Sequence, residues 1–519
     1  MAPKCPYGYP DLAGDDITDN FCELCSRRIK RRLEEWKTKK EEDKVNDINW
    51  VTPIKDPIQG YIKLTPAAQI LLDTCYMQRL RRVLHLSFVY FAYPSAMHTR
   101  FEHSLGVYKI VTKILNNQYL KSKVDEQDKF KVQIAGLLHD VGHGPLSHLA
   151  DAMAQILPHD IEVTHEAFSH WLINPSYVSN ENQLKYGDKK TCLAKIIYDI
   201  LEVKFQDITP NDRRDIRYNI SYMIDLTDRL EDPKGLRHLI NHNALDADKL
   251  DYLTRDAYET GSSLTEGIDL ERLCDSIDIN DTEGIIIGKN VAGSCLQLSY
   301  TRSLALIELY YHKVNRIASE MLLKAFQKAY NNTEKKSILE DKFIETHESY
   351  ETPLFYGWDD FQFLYELLQM EGIPEFKKTV LKVLNRYFYK VIYGVQFKNE
   401  NGGQDWEKDA SLRRNFEQFL LERHSNEENT LDFLIFSFQS PSLKYRICLN
   451  NIKVRTGEST NKSIGELVPY KIENSPDYLL YICKKEEDRI LNNDNFSDNI
   501  KEYLIENGAN EESIKFLIT

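Results

Sequence analysis

Nine of the fourteen histidines fall between His85 and His170, a clustering that core packing alone does not require. The densest part is the run Gly136-Leu137-Leu138-His139-Asp140-Val141-Gly142-His143-Gly144-Pro145-Leu146-Ser147-His148. An apolar helix arriving from Ile134 delivers adjacent His and Asp at its C-terminal end, where Gly142, Gly144 and Pro145 stop it and let backbone approach a ligand closely. Imidazole beside carboxylate suits a first-row divalent metal. Two neighbouring ligands cannot complete a site, so the fold must bring in other segments. The best candidates are His103, in His98-Thr99-Arg100-Phe101-Glu102-His103-Ser104, and Asp248, in Asp246-Ala247-Asp248-Lys249-Leu250-Asp251-Tyr252. A single His-Asp pair is more often a satisfied core histidine than a ligand. Four elements in the order H, HD, D, each in a distinctive string, reverse those odds.

The scaffold around them reads as mainly α. Apolar residues Ile70, Leu71, Met77, Leu80, Val83 and Leu84 recur at helical spacing, predicting one helix over 66–86 that opens on Pro66. The pattern continues at about 104–120, 128–141, 146–156, 163–173, 191–203, 212–230, 246–259 and 300–331. Runs at Gly284–Gly288 and Ser294–Leu298 predict a short β-hairpin, the only strand pair expected before residue 390. Beyond it, Gly402-Gly403, Asn426 to Asn429 and Gly457 to Thr460 separate β-like runs such as Tyr445–Leu449 and Tyr478–Cys483, giving a smaller C-terminal α+β lobe. The expected organisation is a mobile basic arm over 1–48, a core over 49–330, a helical extension over 331–392 and the lobe over 393–519, which can serve oligomerisation. Polar stretches 174–191 and 331–340 read as surface insertions.

At 519 residues, 42% apolar and 28% charged, the chain has the composition of a globular protein with a full-sized core. No apolar run approaches the roughly 18 residues of a membrane span, and the N-terminus lacks the order of a secretory signal. Nine scattered cysteines suit a reducing compartment, so the expectation is an intracellular protein without a membrane partner. Cys5, Cys22 and Cys25 supply three of the four ligands of a structural zinc, against the plainer reading of reduced thiols. The net charge of −14 argues against broad binding to nucleic acid, which draws on phosphate neutralisation. Against that trend, Arg27, Arg28, Lys30, Arg31, Arg32, Lys37, Lys39 and Lys40 form a basic cluster. It is a nuclear import signal, favouring nucleus over cytoplasm, a nucleic-acid contact, or a solvated helix face.

From Asp56 to Lys313 the chain resembles the HD-domain deoxynucleoside triphosphate triphosphohydrolases, in particular their eukaryotic SAM-and-HD-domain branch. The resemblance is carried by Asp56-Pro57-Ile58, Gln78-Arg79-Leu80-Arg81, Arg100-Phe101-Glu102-His103-Ser104-Leu105-Gly106-Val107, His139-Asp140-Val141-Gly142-His143-Gly144-Pro145 and Asp248-Lys249-Leu250-Asp251-Tyr252. It implies an HD-superfamily helical core and metal ligands at His103, His139, Asp140 and Asp248. It also implies phosphate contacts at Arg100, Lys249, Tyr252 and Arg302. His148 with Asp151 matches a pair in which a carboxylate orients an imidazole that protonates the departing 5′-oxygen. His143 and His165 match further imidazoles of the phosphate pocket, and Asp256 the acid associated with the sugar 3′-hydroxyl.

The implied reaction is hydrolysis of dNTPs, dGTP among them, to deoxynucleoside and inorganic triphosphate. The implied metal is Fe, Mn or Zn, with Mg accompanying the nucleotide phosphates. Leu86 and Tyr310 match residues crowding the 2′ side of the sugar, but His85 and Tyr311 stand where the family has Gln. Asp73, Gln78 and Arg81 match a guanine-nucleotide activator site for GTP or dGTP, which goes with assembly into dimers or tetramers. In that site Thr52 and Lys55 replace the family's basic residue and Asn, and the hairpin offers only Lys289. No segment before Asp56 resembles a SAM domain. Two other readings stay open: another HD hydrolase acting on nucleotides, cyclic nucleotides or (p)ppGpp, and a nucleotide-gated nucleic-acid-binding scaffold.

Overall fold

The computed structural model describes residues 23–40, 51–157, 164–174, 192–224, 235–242, 244–280, 284–347, 350–353, 358–399, 405–406, 410–425, 432–439, 452–455, 461–463, 466, 478–485 and 495–517. The fold is mainly α, with small sheets. The helices are α1 (Glu23–Lys40), α2 (Pro66–Leu72), α3 (Cys75–Arg79), α4 (Arg100–Leu115), α5 (Glu126–Leu138), α6 (His148–Ala154), α7 (His165–Ile173), α8 (Cys192–Lys204), α9 (Pro210–Tyr222), α10 (Ala247–Thr260), α11 (Leu270–Ser276), α12 (Ala292–Ala305), α13 (Lys313–Tyr330), α14 (Thr333–Phe343), α15 (Asp360–Gln369), α16 (Pro374–Leu384), α17 (Ala410–His424) and α18 (Phe496–Glu506). The strands are β1 (Ile54–Asp56), β2 (Gly60–Ile62), β3 (Asp278–Asn280), β4 (Gly284–Gly288), β5 (Ile344–His347), β6 (Tyr350–Pro353), β7 (Lys390–Phe397), β8 (Phe433–Gln439), β9 (Lys453–Arg455), β10 (Lys462–Ser463), β11 (Tyr478–Lys484) and β12 (Lys515–Leu517).

α4, α5 and α10 form the centre. α4 starts where the backbone N–H of Thr99 donates to Glu102 Oε2 at 2.6 Å, a reciprocal cap three residues apart. It then buries Phe101, Leu105, Val107, Ile110, Val111 and Ile114. Each such side chain contributes about 1.5–3 kcal/mol over remaining exposed. α5 is capped by Asp125, whose side chain accepts from Asp128 N at 2.8 Å. α10 is capped by Asp246, which accepts from Lys249 N at 2.7 Å, and ends at Gly261 with φ +69°, the left-handed stop that glycine adopts without strain.

Several elements differ from the sequence expectation. Helix 66–86 is broken: Asp73 closes α2, and Thr74 caps α3 by accepting from Met77 N. The 300–331 helix is likewise interrupted by a π turn at Leu306–Tyr310. Ser294–Leu298 lies inside α12, and β4 pairs instead with β3 and, in parallel, with β9. β1–β2 and β5–β6 are further strand pairs before residue 390. Part of the expected surface insertion at 331–340 lies in α14.

The expected mobile arm is, over Glu23–Lys40, a helix. Ile29, Leu33 and Trp36 are buried in the main core, a stripe at i, i+4, i+7. Cys5, Cys22, the stretch 175–191 and Tyr445–Leu449 lie outside the described residues, as does the side chain of Cys25.

The C-terminal sheet, in order β12-β7-β11-β8, separates two cores by its period of two. Phe433 and Ile435 of β8, with Leu480 and Ile482 of β11, face a second core that includes Phe416 and Leu420 of α17 and Phe496, Ile500 and Leu504 of α18. Leu434, Phe436, Leu479 and Tyr481 face the main core. Among the described residues no helix is long and apolar enough to cross a membrane.

Candidate metal centre and its surroundings

His103 on α4, His139 at the C-cap of α5 and Asp248 on α10 converge. His103 Nε2 and His139 Nε2 are 3.2 Å apart. Asp248 Oδ1 lies 2.9 Å from the first and 3.6 Å from the second. Asp140 completes the ring of donors, with Oδ1 3.4 Å from His139 Nε2 and Oδ2 3.7 Å from His103 Nε2.

The tautomers follow from what lies behind the rings. His139 Nδ1 is 3.0 Å from the carbonyl of Gly136, which only accepts, so Nδ1 carries the proton. His103 Nδ1 is 3.0 Å from Asp251 Oδ2, a carboxylate with the same requirement. Burial works against charge on His103, but hydrogen bonds to Asp248 and Asp251 prevail and push its pKa up to about 10. Two Nε2 atoms and two carboxylates therefore face one another, and the raised proton affinity of His103 marks a place that attracts positive charge, whether a proton or a metal ion. His103, His139 and Asp248 offer donor atoms close enough to share one ion, and with Asp140 the set fits a divalent transition metal.

Behind His103 stands a chain of buried groups that sequence reasoning missed. Asp251 accepts from Arg255 Nε at 2.8 Å, Arg255 Nη2 at 3.1 Å and Gln59 Nε2 at 2.9 Å. Arg255 Nη1 reaches Asp56 Oδ2 at 2.9 Å, and Asp56 Oδ1 accepts from the backbone of Ile58 and Gln59. Burial raises the Asp251 pKa, but Arg255 and His103 overcome it and hold it at about 2. Gly106 is required here because a Cβ would lie 1.8 Å from Asp251 Oδ1. The available signal was the spacing of Asp248, Asp251 and Arg255, three and four residues apart and hence neighbours on one helix.

The loop after the His-Asp pair is strained and held from several sides. Leu146 and Ser147 have φ of +57° and +55°, costly for residues with a Cβ. Leu146 N donates to Asp360 Oδ1 at 2.7 Å, and Ser147 Oγ donates to the Leu84 carbonyl at 2.7 Å. Arg79, 2% exposed, donates to the carbonyls of Val141, His143 and Trp358. Ser169 Oγ accepts from Gly142 N at 2.8 Å and donates to the His139 carbonyl at 3.0 Å.

That loop feeds α6 and a second cluster of His143, His148, Asp151 and His165. Asp151 Oδ2 is 2.8 Å from His165 Nδ1 but 3.4 Å from His148 Nδ1. The carboxylate expected to orient His148 thus binds His165 more closely. Burial lowers the His165 pKa, but Asp151 and Glu166 push it up to about 9. The His148 side chain is 71% exposed. The His143 ring stacks on His165 at 3.6 Å, and its Nε2 lies 3.4 Å from Asp140 Oδ1. Burial and the Arg100 charge hold its pKa well below the usual value, leaving a neutral imidazole.

Of the expected phosphate contacts, Arg100 is buried, its Nη1 2.8 Å from Asp140 Oδ2 and its Nε 3.1 Å from Ser147 Oγ. It stands as the wall between the metal candidates and the loop. Lys249 Nζ lies 2.7 Å from Asp246 Oδ2. The charges of Lys249 and Arg302 act on each other and on the Tyr252 hydroxyl.

Asp256 is held by three side chains. Its Oδ1 is 2.7 Å from His98 Nε2 and 3.1 Å from His85 Nδ1, and its Oδ2 accepts from Tyr310 OH at 2.7 Å. His85 stacks on His103 with centroids 4.6 Å apart, and burial and Arg100 push its pKa down to about 3. Leu86 packs with Val89, Ala96, Tyr93 and Tyr310.

Of the expected activator residues, Asp73 is occupied by α1. Arg32 Nη1 pairs with Asp73 Oδ2, and Arg28 Nη2 donates to the Asp73 carbonyl at 2.8 Å. Arg81 Nε donates to Gln78 Oε1 at 3.0 Å.

Residues 100–256 match the HD domain family, a span from Arg100 to Asp256 that contains both clusters. The deoxynucleoside triphosphate triphosphohydrolases SAMHD1 of Bos taurus and Homo sapiens are each 31% identical to the chain, over 54% and 53% of it. Those alignments cover 48% and 44% of the relatives, so the chain spans about half the length of these curated proteins. The Xenopus laevis SAMHD1 is 25% identical over 84% of this chain and 72% of its own. The chain carries an HD domain and is similar to the SAMHD1 deoxynucleoside triphosphate triphosphohydrolases.

Proposed function

We propose that the chain hydrolyses dNTPs, dGTP among them, to deoxynucleoside and inorganic triphosphate. The observation that supports this most is the pair of Nε2 atoms 3.2 Å apart between two carboxylates, flanked by Arg100 and by the Lys249–Arg302–Tyr252 group. A divalent Fe, Mn or Zn held by His103, His139, Asp140 and Asp248 supplies Lewis acidity and a nucleophile at neutral pH. Lys249, Arg302 and Arg100 neutralise the triphosphate, with Mg accompanying it, and Tyr252 adds a hydroxyl donor. His143, neutral and stacked on His165, has an N–H to offer a phosphate oxygen.

His148, the exposed imidazole of its cluster, gives its proton to the departing 5′-oxygen, with Asp151 and cationic His165 fixing its surroundings. Asp256 acts on the sugar through the groups it holds, His85 and Tyr310, while Leu86 and Tyr310 leave little room at the 2′ position. Activation by GTP or dGTP at Asp73, Gln78 and Arg81 belongs to the same proposal and requires Arg28 and Arg32 of α1 to release Asp73. So do assembly into dimers or tetramers and an intracellular, preferentially nuclear, location. The exposed Arg27, Arg28, Lys30 and Arg31 of α1 support that location and weak nucleic-acid contact.

The test is incubation of the purified chain with each dNTP and NTP, with and without GTP and chelator, and resolution of the products. Chelator-sensitive release of deoxynucleoside and triphosphate is expected. Release of mono- or diphosphate, or activity indifferent to Asp140→Ala, overturns the proposal.

A further inference from the structure

Away from the HD domain, α13, α14 and α16 meet the ends of the C-terminal strands around a cavity of ≈ 390 Å³. Six of its lining residues are lysines: Lys324 and Lys328 on α13, Lys335 on α14, Lys378 and Lys382 on α16, and Lys485 just after β11. Only Glu375 and Asp432 oppose them in the lining. In a chain of net charge −14 this is a strong local inversion of sign.

The arrangement concentrates the excess. Asp432 takes Lys324 Nζ at 2.5 Å, Lys328 Nζ at 3.1 Å, Lys485 Nζ at 2.8 Å and Tyr389 OH at 2.6 Å. One carboxylate is thus shared by three ammonium groups, with Glu417 a second partner of Lys324 at 2.6 Å. Lys335 pairs with Glu375 at 2.9 Å, on a carboxylate that is 73% exposed. Lys378 and Lys382 stand one turn apart on α16, where like charges repel. Between them the wall is apolar, with Ala325, Ile373 and Phe376. A recess of this size fits a small ligand rather than a duplex, and a flexible chain of phosphates is the anion that can meet several separated ammonium groups at once.

We propose that this cavity binds a polyphosphate chain, either inorganic triphosphate or the phosphates of a nucleotide. The ligand would join α13 and α16 to the segments leading into β8 and out of β11, and so tie the C-terminal sheet to the helical body.

The test is titration calorimetry on the full chain, with tripolyphosphate, dGTP, deoxyguanosine and a single-stranded oligonucleotide as separate arms. The same titrations are run on Lys328→Gln/Lys378→Gln/Lys382→Gln, on the single exposed change Lys378→Glu, and on Lys377→Gln, which lies on α16 outside the cavity lining. Wild type and Lys377→Gln are expected to show a class of tripolyphosphate sites weakened by added salt. The triple change loses that class, and Lys378→Glu weakens it at least tenfold while its thermal transition stays that of wild type. Equal affinity for tripolyphosphate and dGTP identifies the inorganic chain, and tenfold tighter dGTP identifies a nucleotide. Unchanged tripolyphosphate isotherms in both cavity variants overturn the proposal. So does loss of binding only to single-stranded oligonucleotide, which makes the surface a nucleic-acid contact.

Discussion

Asp251 makes no contact with the candidate metal position, yet the geometry gives it control over that position. Its Oδ2 fixes the Nδ1–H tautomer of His103 from 3.0 Å, and Arg255 and Gln59 hold it in place. Asp251→Asn keeps the shape and removes the charge. Loss of an orienting carboxylate behind a metal-binding histidine costs about 10–100-fold in metal affinity, or roughly 1.4–2.7 kcal/mol. Asp56 still pairs with Arg255, so the folding cost falls below the roughly 3–5 kcal/mol of an abandoned buried ion pair.

Gly106→Ala attacks the same link from α4, since its Cβ would lie 1.8 Å from Asp251 Oδ1 and the carboxylate must move. The assay is metal affinity by chelator competition, with metal content by elemental analysis and a thermal melt on each sample. Both variants are expected to lose affinity to similar extents. The double variant should lose little more than the worse single one, because the two changes break one contact. Wild-type affinity in a folded Asp251→Asn protein, or additive losses in the double variant, refutes the reasoning.

Other expectations follow from single contacts. Burial pushes Asp360 up to about 7, above its unfolded value, so its contribution is full below about pH 4 and lost as pH rises through 7. A difference of about three units corresponds to at most about 4 kcal/mol. Relative to Asp360→Asn, wild type should therefore lose stability between pH 4 and 8 in denaturant titrations, and parallel curves contradict this. Ser169→Ala leaves the buried Gly142 N–H without its acceptor and should cost about 1–3 kcal/mol of stability in the same assay. Tyr310→Phe removes a 2.7 Å hydrogen bond to Asp256, worth about 1.5–3 kcal/mol. It should lower kcat/KM for dNTPs and narrow the preference over NTPs in steady-state kinetics, with the melt lowered by the few degrees that such a loss corresponds to.

What could be read in the sequence was local. The helix ending in His139-Asp140 and the glycines after it form a contiguous pattern, and so do Asp246 and Asp248 at the start of α10. The chain Asp56–Arg255–Asp251–His103 joins three places along the sequence; the spacing of Asp251 and Arg255 marks them as neighbours on one helix, but nothing local announces Asp56 or His103 as their partners. The match put Asp256 near the sugar, but its partners His85, His98 and Tyr310 lie on other segments, and the match does not pair them with it. The basic character of 27–40 masked the apolar stripe of Ile29, Leu33 and Trp36, whose burial depends on surfaces far along the chain. β4 was legible as a strand, whereas its parallel partner β9 lies more than 160 residues on, a pairing that local propensity does not encode.

The most direct test is hydrolysis of dGTP in water enriched in oxygen-18, with mass analysis of both products. Water attack at the α-phosphorus with departure of the 5′-oxygen puts one heavy oxygen into inorganic triphosphate and none into deoxyguanosine. Label in a nucleotide monophosphate, or in deoxyguanosine itself, contradicts the account.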